Sequence, residues 1–405
     1  MEEELIVPSW VPKPGRVSVL VDFHHQSLLQ SFYLLFQKWG WNMYIPLGRE
    51  WYEEGVWELY DNKTLNKGII CQYLDKNNRW GLLGQEECKA REHLGYPITD
   101  AKGDFPNILD LTFEECKKIN LDIIIATTPS NYKAFKRLKN EYQPHAKLIL
   151  EAGNNYPIHD VCLEKDENLL SSSRYTYEIN DCNKCFYHQR FDTNFFHPKY
   201  SRHHFNVKSV ANFTHFMYKP ELFETLQEMM PDWEFKTYGA GNKDEAVYCL
   251  TENISEMTNQ FGFIWHYKKN TDGYGHVVHN AFACGKPVIT NTLYSSRAWN
   301  WDGNIPTTAS ALFDDDTIVD FNNYNNRMHL DKDELALDDD SSDLDIKVLK
   351  QIKEELETKA ENYQYHSDKV YEKFKSVVDF EKEEESIYNL LIPEHKHSTG
   401  FLQHD

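Results

Sequence analysis

A chain of 405 residues holds two or three domains of ordinary size, and 40% hydrophobic residues with 14% aromatics supply real cores, which excludes global disorder. A formal net charge of -21 argues against a broad non-specific grip on nucleic-acid phosphates, though a small local basic groove stays compatible with it. No run of about 18 apolar residues predicts a transmembrane helix, the acidic start Met1-Glu2-Glu3-Glu4 is unlike a secretory signal, and eight scattered cysteines are sparse for a disulfide scaffold, so a cytoplasmic location is expected.

Arg16 to Val21 reads as a strand, followed by the loop Asp22-Phe23-His24-His25. A helix is predicted from about Gln26 to Trp39, with Leu28, Leu29, Phe32, Leu35 and Phe36 on one face, stopped by Gly40. Trp41 to Pro46 is the next strand. Residues from about 48 to 106 show no ordered period. Thr112-Phe113-Glu114-Glu115 spells a capping box for a helix to about Ile119, and Asp122 to Ala126 follows as a strand. Thr128-Pro129 reads as an N-cap with proline in the first helical position, ahead of a helix lined by Tyr132, Phe135 and Leu138. Lys147 to Glu151 is another strand. Nearly continuous apolar strands alternating with helices point to a parallel sheet.

The polar stretch from about Asn180 to His204 fits an interdomain connection, after which the alternation restarts. Val207 to Ala211 is a strand. Pro220 opens a helix with Leu222, Phe223, Leu226, Met229 and Met230 on its buried face. Trp233 to Tyr238 is a strand ending in Gly239-Ala240-Gly241, Ile254 to Asn259 a short helix, and Phe261 to His266 a strand. Between Asp314 and Asp345 stand twelve acidic residues with only Arg327 and Lys332 as bases, which reads as a surface loop. A long charged helix is predicted from Ile346 to about Lys373, a shorter one from Phe380 to Leu391, and a tail from His395. The fold class is α/β, with two Rossmann-like domains facing a cleft. The expected divisions are 1–204, an N-terminal domain with an irregular insert; 205–345, a C-terminal domain; and 346–405, C-terminal helices and tail.

The most informative stretch runs from Asp272 to Thr290. Gly273-Tyr274-Gly275 is a glycine-rich turn, and a short helix with Val277, Val278, Ala281 and Phe282 on its buried face follows. Gly285 suits the left-handed position that ends a helix, Pro287 cannot continue one, and Val288 to Thr290 is a strand. Glycines let backbone N–H groups approach an anion, and a helix start adds partial positive charge, so this turn suits a phosphate or a ribose.

This layout and motif resemble GT-B fold glycosyltransferases, especially the retaining family 4 type. That family spells the stretch "E-P-F-G-L-V-x-L-E-A-M-A-C-G-x-P-V-I". Asp272 and Asn280 stand at its two glutamate positions, with Gly275, Ala281, Ala283, Cys284, Gly285, Pro287, Val288 and Ile289 in register. The resemblance is specific over roughly residues 205 to 300 and architectural over the first half. It implies that Asn280 hydrogen-bonds the donor ribose, that Asp272 and His276 lie near the donor sugar, and that the backbone of Gly273, Tyr274 and Gly275 meets the sugar or diphosphate. Lys219 stands where the family places a lysine for the diphosphate. The arginine partner is missing, with His215, Lys243 and Lys268 as candidate substitutes. The resemblance also implies a last helix packing back on the N-terminal domain. Asp272 is a shortened glutamate, and Asn280 keeps a hydrogen-bonding oxygen but no charge.

Asp22, His24 and His25 follow the first strand, at the carboxyl edge where ligands gather in open α/β sheets. They read either as a site, with His24 as a base near the acceptor and Asp22 orienting it, or as polar loop residues, one capping the helix. Gly239 lines the cleft or contacts the donor. Arg297 meets a phosphate or an acidic acceptor, or forms a surface ion pair. Trp51 to Trp80 reads equally as a sugar-stacking acceptor wall and as an irregular core insert. Cys182-Asn183-Lys184-Cys185 is a single CxxC near His188 and His197, better read as a linker turn than as zinc ligands. No metal or other cofactor is expected. The expected activity is transfer of a sugar from a nucleotide-diphosphate sugar, UDP-linked, to an unidentified acceptor: a glycan, protein, lipid-linked glycan or modified nucleic acid. An epimerase or hydrolase of the same fold and a non-catalytic nucleotide-sugar-binding protein are the alternatives. No stable membrane insertion is expected.

Overall fold

A computed structural model describes residues 16–22, 26–46, 51, 71–74, 80–83, 108–156, 158–199, 205–214, 217–238, 251–268, 272–291, 305–321 and 342–392. The chain divides into two units. The first takes Met1–Ser172, Thr176–Phe191 and Phe380–Asp405, the second Ser173–Tyr175 and Asp192–Asp379.

In the first unit β1 (Ser18–Val21), α1 (Gln26–Trp39) and β2 (Asn42–Pro46) form the opening predicted from sequence. A two-stranded antiparallel hairpin, β3 (Cys71–Leu74) and β4 (Trp80–Leu83), precedes β5 (Ile108–Leu111). Then come α2 (Phe113–Cys116), β6 (Ile123–Ala126), α3 (Pro129–Tyr142), β7 (Lys147–Ala152), α4 (Ile158–Val161), β8 (Asn168–Ser171), α5 (Arg174–Ile179) and β9 (Asn183–Phe186). The sheet runs β5-β2-β1-β6-β7-β8-β9, and every neighbouring pair is parallel. Its inner strands β1, β6 and β7 are apolar at nearly every position because both faces are covered. Val19, Val21, Ile123 and Ile125 join the core on the α1 face, while Leu20 and Ile124 join the opposite core with Phe135 and Leu138 of α3.

The predicted caps form. Thr112 Oγ1 accepts the Glu115 N–H at 3.2 Å while Glu115 accepts the Thr112 N–H at 2.9 Å, and Thr128 Oγ1 accepts the Asn131 N–H at 3.1 Å. Helix α2 ends at Cys116 instead of near Ile119. The Gln143 side-chain amide donates to the carbonyls of Cys116 (2.6 Å) and Ile119 (2.8 Å), satisfying the chain as it leaves the helix. The stretch from Asn180, expected as an interdomain connection, begins instead with edge strand β9. Its polar Asn183 and Lys184 hide it from an apolar-run reading. Cys182 and Cys185 pack on opposite faces of the sheet, so the CxxC is neither a linker turn nor a convergent ligand pair.

The second unit contains β10 (Asn206–Asn212), α6 (Pro220–Met229), β11 (Glu234–Thr237), α7 (Thr251–Gln260), β12 (Phe261–His266), α8 (His276–Ala283), β13 (Val288–Thr290) and β14 (Ile318–Asp320). Helices α9 (Ser342–Glu361) and α10 (Tyr363–Val377) follow. The sheet order is β11-β10-β12-β13-β14, again all parallel. Two expectations are corrected here. The acidic segment is not all surface loop, because its short stretch Ile318–Asp320 forms buried β14. The long helix is two helices that part at Asn362, where Tyr363 turns inward and its hydroxyl donates to the Gly262 carbonyl at 2.9 Å.

The C-terminal helix α11 (Phe380–Leu391) packs back on the first unit, as the resemblance implies. Ile387, Leu390 and Leu391 join the α1 core. Glu384 bonds Lys38 and Arg190, each at 2.7 Å, and accepts the Trp39 indole N–H at 2.8 Å. Glu383 holds His188 Nδ1 at 2.6 Å, so the histidine beside the CxxC is tied to α11. Among the described residues, no helix is long and apolar enough to cross a membrane.

Strand β12 begins beside a register shift opposite β10, between Asn206 and Val210, and a Cβ on Gly262 would lie 2.1 Å from the Val207 carbonyl oxygen. Backbone cannot yield there as a side chain can. Gly262→Ala is expected to destabilise the second unit by about 3 kcal/mol, read as a lower urea midpoint at unchanged slope.

Candidate functional site

The site is built where β10, β12 and β13 of the second unit end side by side. Strand β12 is buried along its whole length and delivers His266, 1% exposed, at its carboxyl end. His266 Nδ1 pairs with the Thr214 hydroxyl at 3.3 Å, just beyond β10. Its Nε2 contacts Asp272 Oδ2 across the loop that leads to α8. Lys268 Nζ lies 3.3 Å from the other Asp272 oxygen. Asn291, one residue past β13, fixes the Lys268 backbone from both sides. Its Oδ1 accepts the Lys268 N–H at 3.0 Å and its amide donates to the Lys268 carbonyl at 2.8 Å.

Burial by itself would raise the Asp272 carboxyl. The His266 and Lys268 groups beside it outweigh burial and hold it well below the usual carboxylate range. Asp272 is therefore an ionised hub, paired on both oxygens.

The predicted turn and helix have the expected form. Gly275 is the α8 N-cap at φ 83°, and Gly285 ends the helix region at φ 66°, both left-handed. Gly275 offers no side-chain cap, and the first N–H to bond back into the helix is that of His279, at 3.1 Å. The amides of 276–278 thus point out of the helix N-terminus, as anion binding requires. A Cβ on Gly275 would sit 3.3 Å from Ala309 Cβ and 3.5 Å from Asp272 Oδ2. Asn280 lies on the same helix, and its buried Oδ1 accepts no hydrogen bond among the described residues.

Lys219 is the N-cap of α6 and adopts a left-handed φ of 48°, the one positive φ on a non-glycine residue among those described. Such strain at a ligand edge is a functional pointer. Its neighbour Tyr218 stacks on Tyr267, 5.9 Å between ring centres and 6° from parallel, which joins the start of α6 to the end of β12. Tyr274 does not display its ring. It is 2% exposed and stacks on His279 at 4.1 Å, so only its backbone remains available in the turn. Gly273 is buried in the same turn, and His276 meets the Tyr274 ring edge-on at 4.9 Å.

In the first unit Asp22 is 1% exposed, and Thr127 N–H (2.9 Å), the Thr127 hydroxyl and Asn131 Nδ2 (2.8 Å) all donate to it. It ties β1 to the start of α3. Burial pushes its carboxyl up to about 6 despite those bonds. Trp51 is fully buried, and its indole donates to Leu111 O at 2.9 Å, so this ring belongs to the core and not to an acceptor wall. His24, His25, Gly239 and Arg297, along with His215 and Lys243, lie outside the described residues.

Sequence reasoning missed His266, Thr214 and Asn291. The carboxyl-edge rule that singled out Asp22 applies equally to the histidine that ends the apolar run Phe261 to Trp265. It also missed Glu151. Tyr187 (2.9 Å), Ser172 (3.2 Å) and Gln189 (3.3 Å) donate to its Oε1, and its Oε2 is buried without a partner among the described residues. Burial pushes this carboxyl up to about 8. Among the described residues, no three His, Cys, Asp or Glu side chains converge as a metal site.

Two parallel-sheet α/β units and a C-terminal helix returning to the first are the GT-B fold of glycosyltransferases. Anabaena HepE in complex with UDP and glucose shares it at a TM-score of 0.55 and 10% identity, over 93% of this chain and 99% of that one. HepE in complex with UDP-glucose gives 0.53 and 10%, over 92% and 98%. Sucrose-phosphate synthase from Thermosynechococcus elongatus gives 0.50 and 9%, over 93% and 98%. No family model and no curated protein matches the sequence. At these identities the likeness is one of fold.

Glu151 gives the fold a pH signature. Its folded pKa of about 8 lies above the ordinary 4.5, so the folded state holds a proton that the unfolded state releases. Stability is full below about 4.5 and falls as pH rises toward 8, at most about 1.4 kcal/mol per unit. Asp22 adds the same sign between 3.8 and about 6. Glu151→Gln should raise the melting temperature at pH 8, with the gain vanishing near pH 5.

Proposed function

We propose that this chain is a glycosyltransferase that takes a sugar from a nucleotide-diphosphate sugar, UDP-linked, and passes it to an acceptor hydroxyl or amine. One observation carries the reading: the uncapped α8 N-terminus opens at Gly275 beside Lys268 and Asn280, at the carboxyl edge of the second sheet. The likeness in fold to HepE bound to UDP and UDP-glucose supports it.

The reaction breaks the bond between the sugar's anomeric carbon and the diphosphate and forms one to the acceptor, which gives up a proton. Charge builds on the departing diphosphate. Lys219, Lys268 and the amides of 276–278 are the groups to stabilise it, the lysines by charge and the amides by hydrogen bonds aligned with the helix dipole. Lys268 takes the part of the missing arginine, since Asn291 fixes its backbone and Asp272 its ammonium. The open Asn280 Oδ1 suits a ribose hydroxyl donor. Asp272 and His276 border the donor sugar, and His24, from its place in the sequence just after β1, is the candidate base for the acceptor. Retention of anomeric configuration is part of the proposal, as is a cytosolic setting, which the five free cysteines described fit.

A second reading has support in Asp272, whose two oxygens are both paired. A nucleotide-sugar hydrolase, an epimerase or a non-catalytic binder needs no open carboxylate there. Turnover of UDP-glucose with and without an acceptor panel separates the readings. Acceptor-dependent product supports transfer, acceptor-free sugar or epimer supports the second class, and saturable binding without product supports the third. UDP-glucose should raise the melting temperature. Lys219→Ala and Asn280→Ala should each weaken its binding about tenfold, or about 1.4 kcal/mol, in calorimetric titration. Unchanged affinity in both would refute the site.

A further inference from the structure

Resting on the donor-site reading, we propose that His266 is a positioning residue that fixes the Asp272 carboxylate against the sugar of the bound donor, anchored in turn by Thr214. The argument begins with a shortfall in reach. Asp272 carries one methylene fewer than a glutamate, so its carboxylate stays close to the loop backbone. His266 comes from the end of a buried strand, where backbone and ring have little freedom.

The ring is held on both sides. Asp272 is ionised and acceptor-only, so the proton on that contact belongs to His266 Nε2, which donates to Asp272 Oδ2. That leaves Nδ1 for the Thr214 hydroxyl at 3.3 Å. Thr214 is itself held, because Asn212 donates to its carbonyl at 3.0 Å and accepts its N–H at 3.3 Å. The chain Asn212–Thr214–His266–Asp272–Lys268–Asn291 thus links the ends of β10, β12 and β13 into one frame. A surrounding shell of this kind locks the residue that touches the ligand, while making no ligand contact itself.

Two amide substitutions separate positioning from bulk structure. In His266→Gln the side-chain amide nitrogen stands near the position of Nε2, retaining a donor to Asp272. In His266→Asn it reaches only the Nδ1 side. UDP and UDP-glucose are titrated calorimetrically into the native protein, both variants and Asp272→Asn. The expected result is UDP affinity within about twofold of native in both His266 variants, whereas Asp272→Asn, which also releases the Lys268 ammonium, weakens UDP as well. UDP-glucose affinity should fall about tenfold in His266→Asn and Asp272→Asn and stay within about threefold in His266→Gln. Thr214→Val, which keeps both partners of the carboxylate contact, should show a smaller loss than His266→Asn.

A second readout needs no ligand. In protein labelled with 15N-histidine, the His266 Nε2–H should appear downfield, vanish in His266→Asn and move upfield in Asp272→Asn. If native protein binds neither nucleotide while this coupling is present, the donor-site reading fails and the His266–Asp272 contact stands as structural. Equal loss in the Gln and Asn variants, or an Nε2–H signal indifferent to Asp272→Asn, overturns the positioning role.

Discussion

Strand β12 is the constraint on which the second unit depends. It lies at the centre of a parallel sheet, and all six of its residues are buried. Such a strand tolerates polarity only at its ends, and it ends on a histidine whose two nitrogens both have partners. Through that ring the ends of β10 and β12 and the loop before α8 share one hydrogen-bonded frame. Gly275 then turns the chain in a left-handed conformation so that α8 begins without a side-chain cap, its first internal bond coming from the His279 N–H. Alternative arrangements of this loop would strand a buried imidazole or an ionised carboxylate.

The two units treat buried carboxyls in opposite ways. Asp272 has the Lys268 ammonium and the His266 ring beside it and stays ionised, whereas Asp22 and Glu151 have only neutral donors, so burial raises both. Asp22 secures β1 to the cap of α3, and Glu151 joins β7 to Ser172, Tyr187 and Gln189. The cost of holding these neutral acids falls on alkaline stability. The charged edge in the second unit is the one suited to an anionic donor, where a fixed ammonium at Lys268 and a helix N-terminus act together.

Much of this was legible in the chain itself. The strands from Ile123 and Phe261 are apolar at nearly every position, and the caps at Thr112 and Thr128 have spellings that only a helix start satisfies. Gly275 and Gly285 bracket α8 as read. Short edge strands escaped: β9 is half polar, and β14 has three residues inside an acidic run. The break at Asn362 escaped because the apolar period continues across it, and only the tertiary bond from Tyr363 to Gly262 shows why the chain turns. Within the candidate site, Lys219, Asn280 and Asp272 were singled out by the motif and its surroundings. The outer part of the frame was not, because Thr214 and Asn291 are far from Asp272 in sequence and join it only through His266 and Lys268, which parallel strand order brings beside them.

The central claim is that the α8 N-terminus receives the diphosphate of a nucleotide sugar. Amide hydrogen exchange with and without saturating UDP tests it most directly, because it reads the backbone groups themselves. The account predicts slowed exchange at 273–280 and around 219, with the first unit's sheet unchanged. Binding of UDP with exchange at 273–280 unaltered would contradict it.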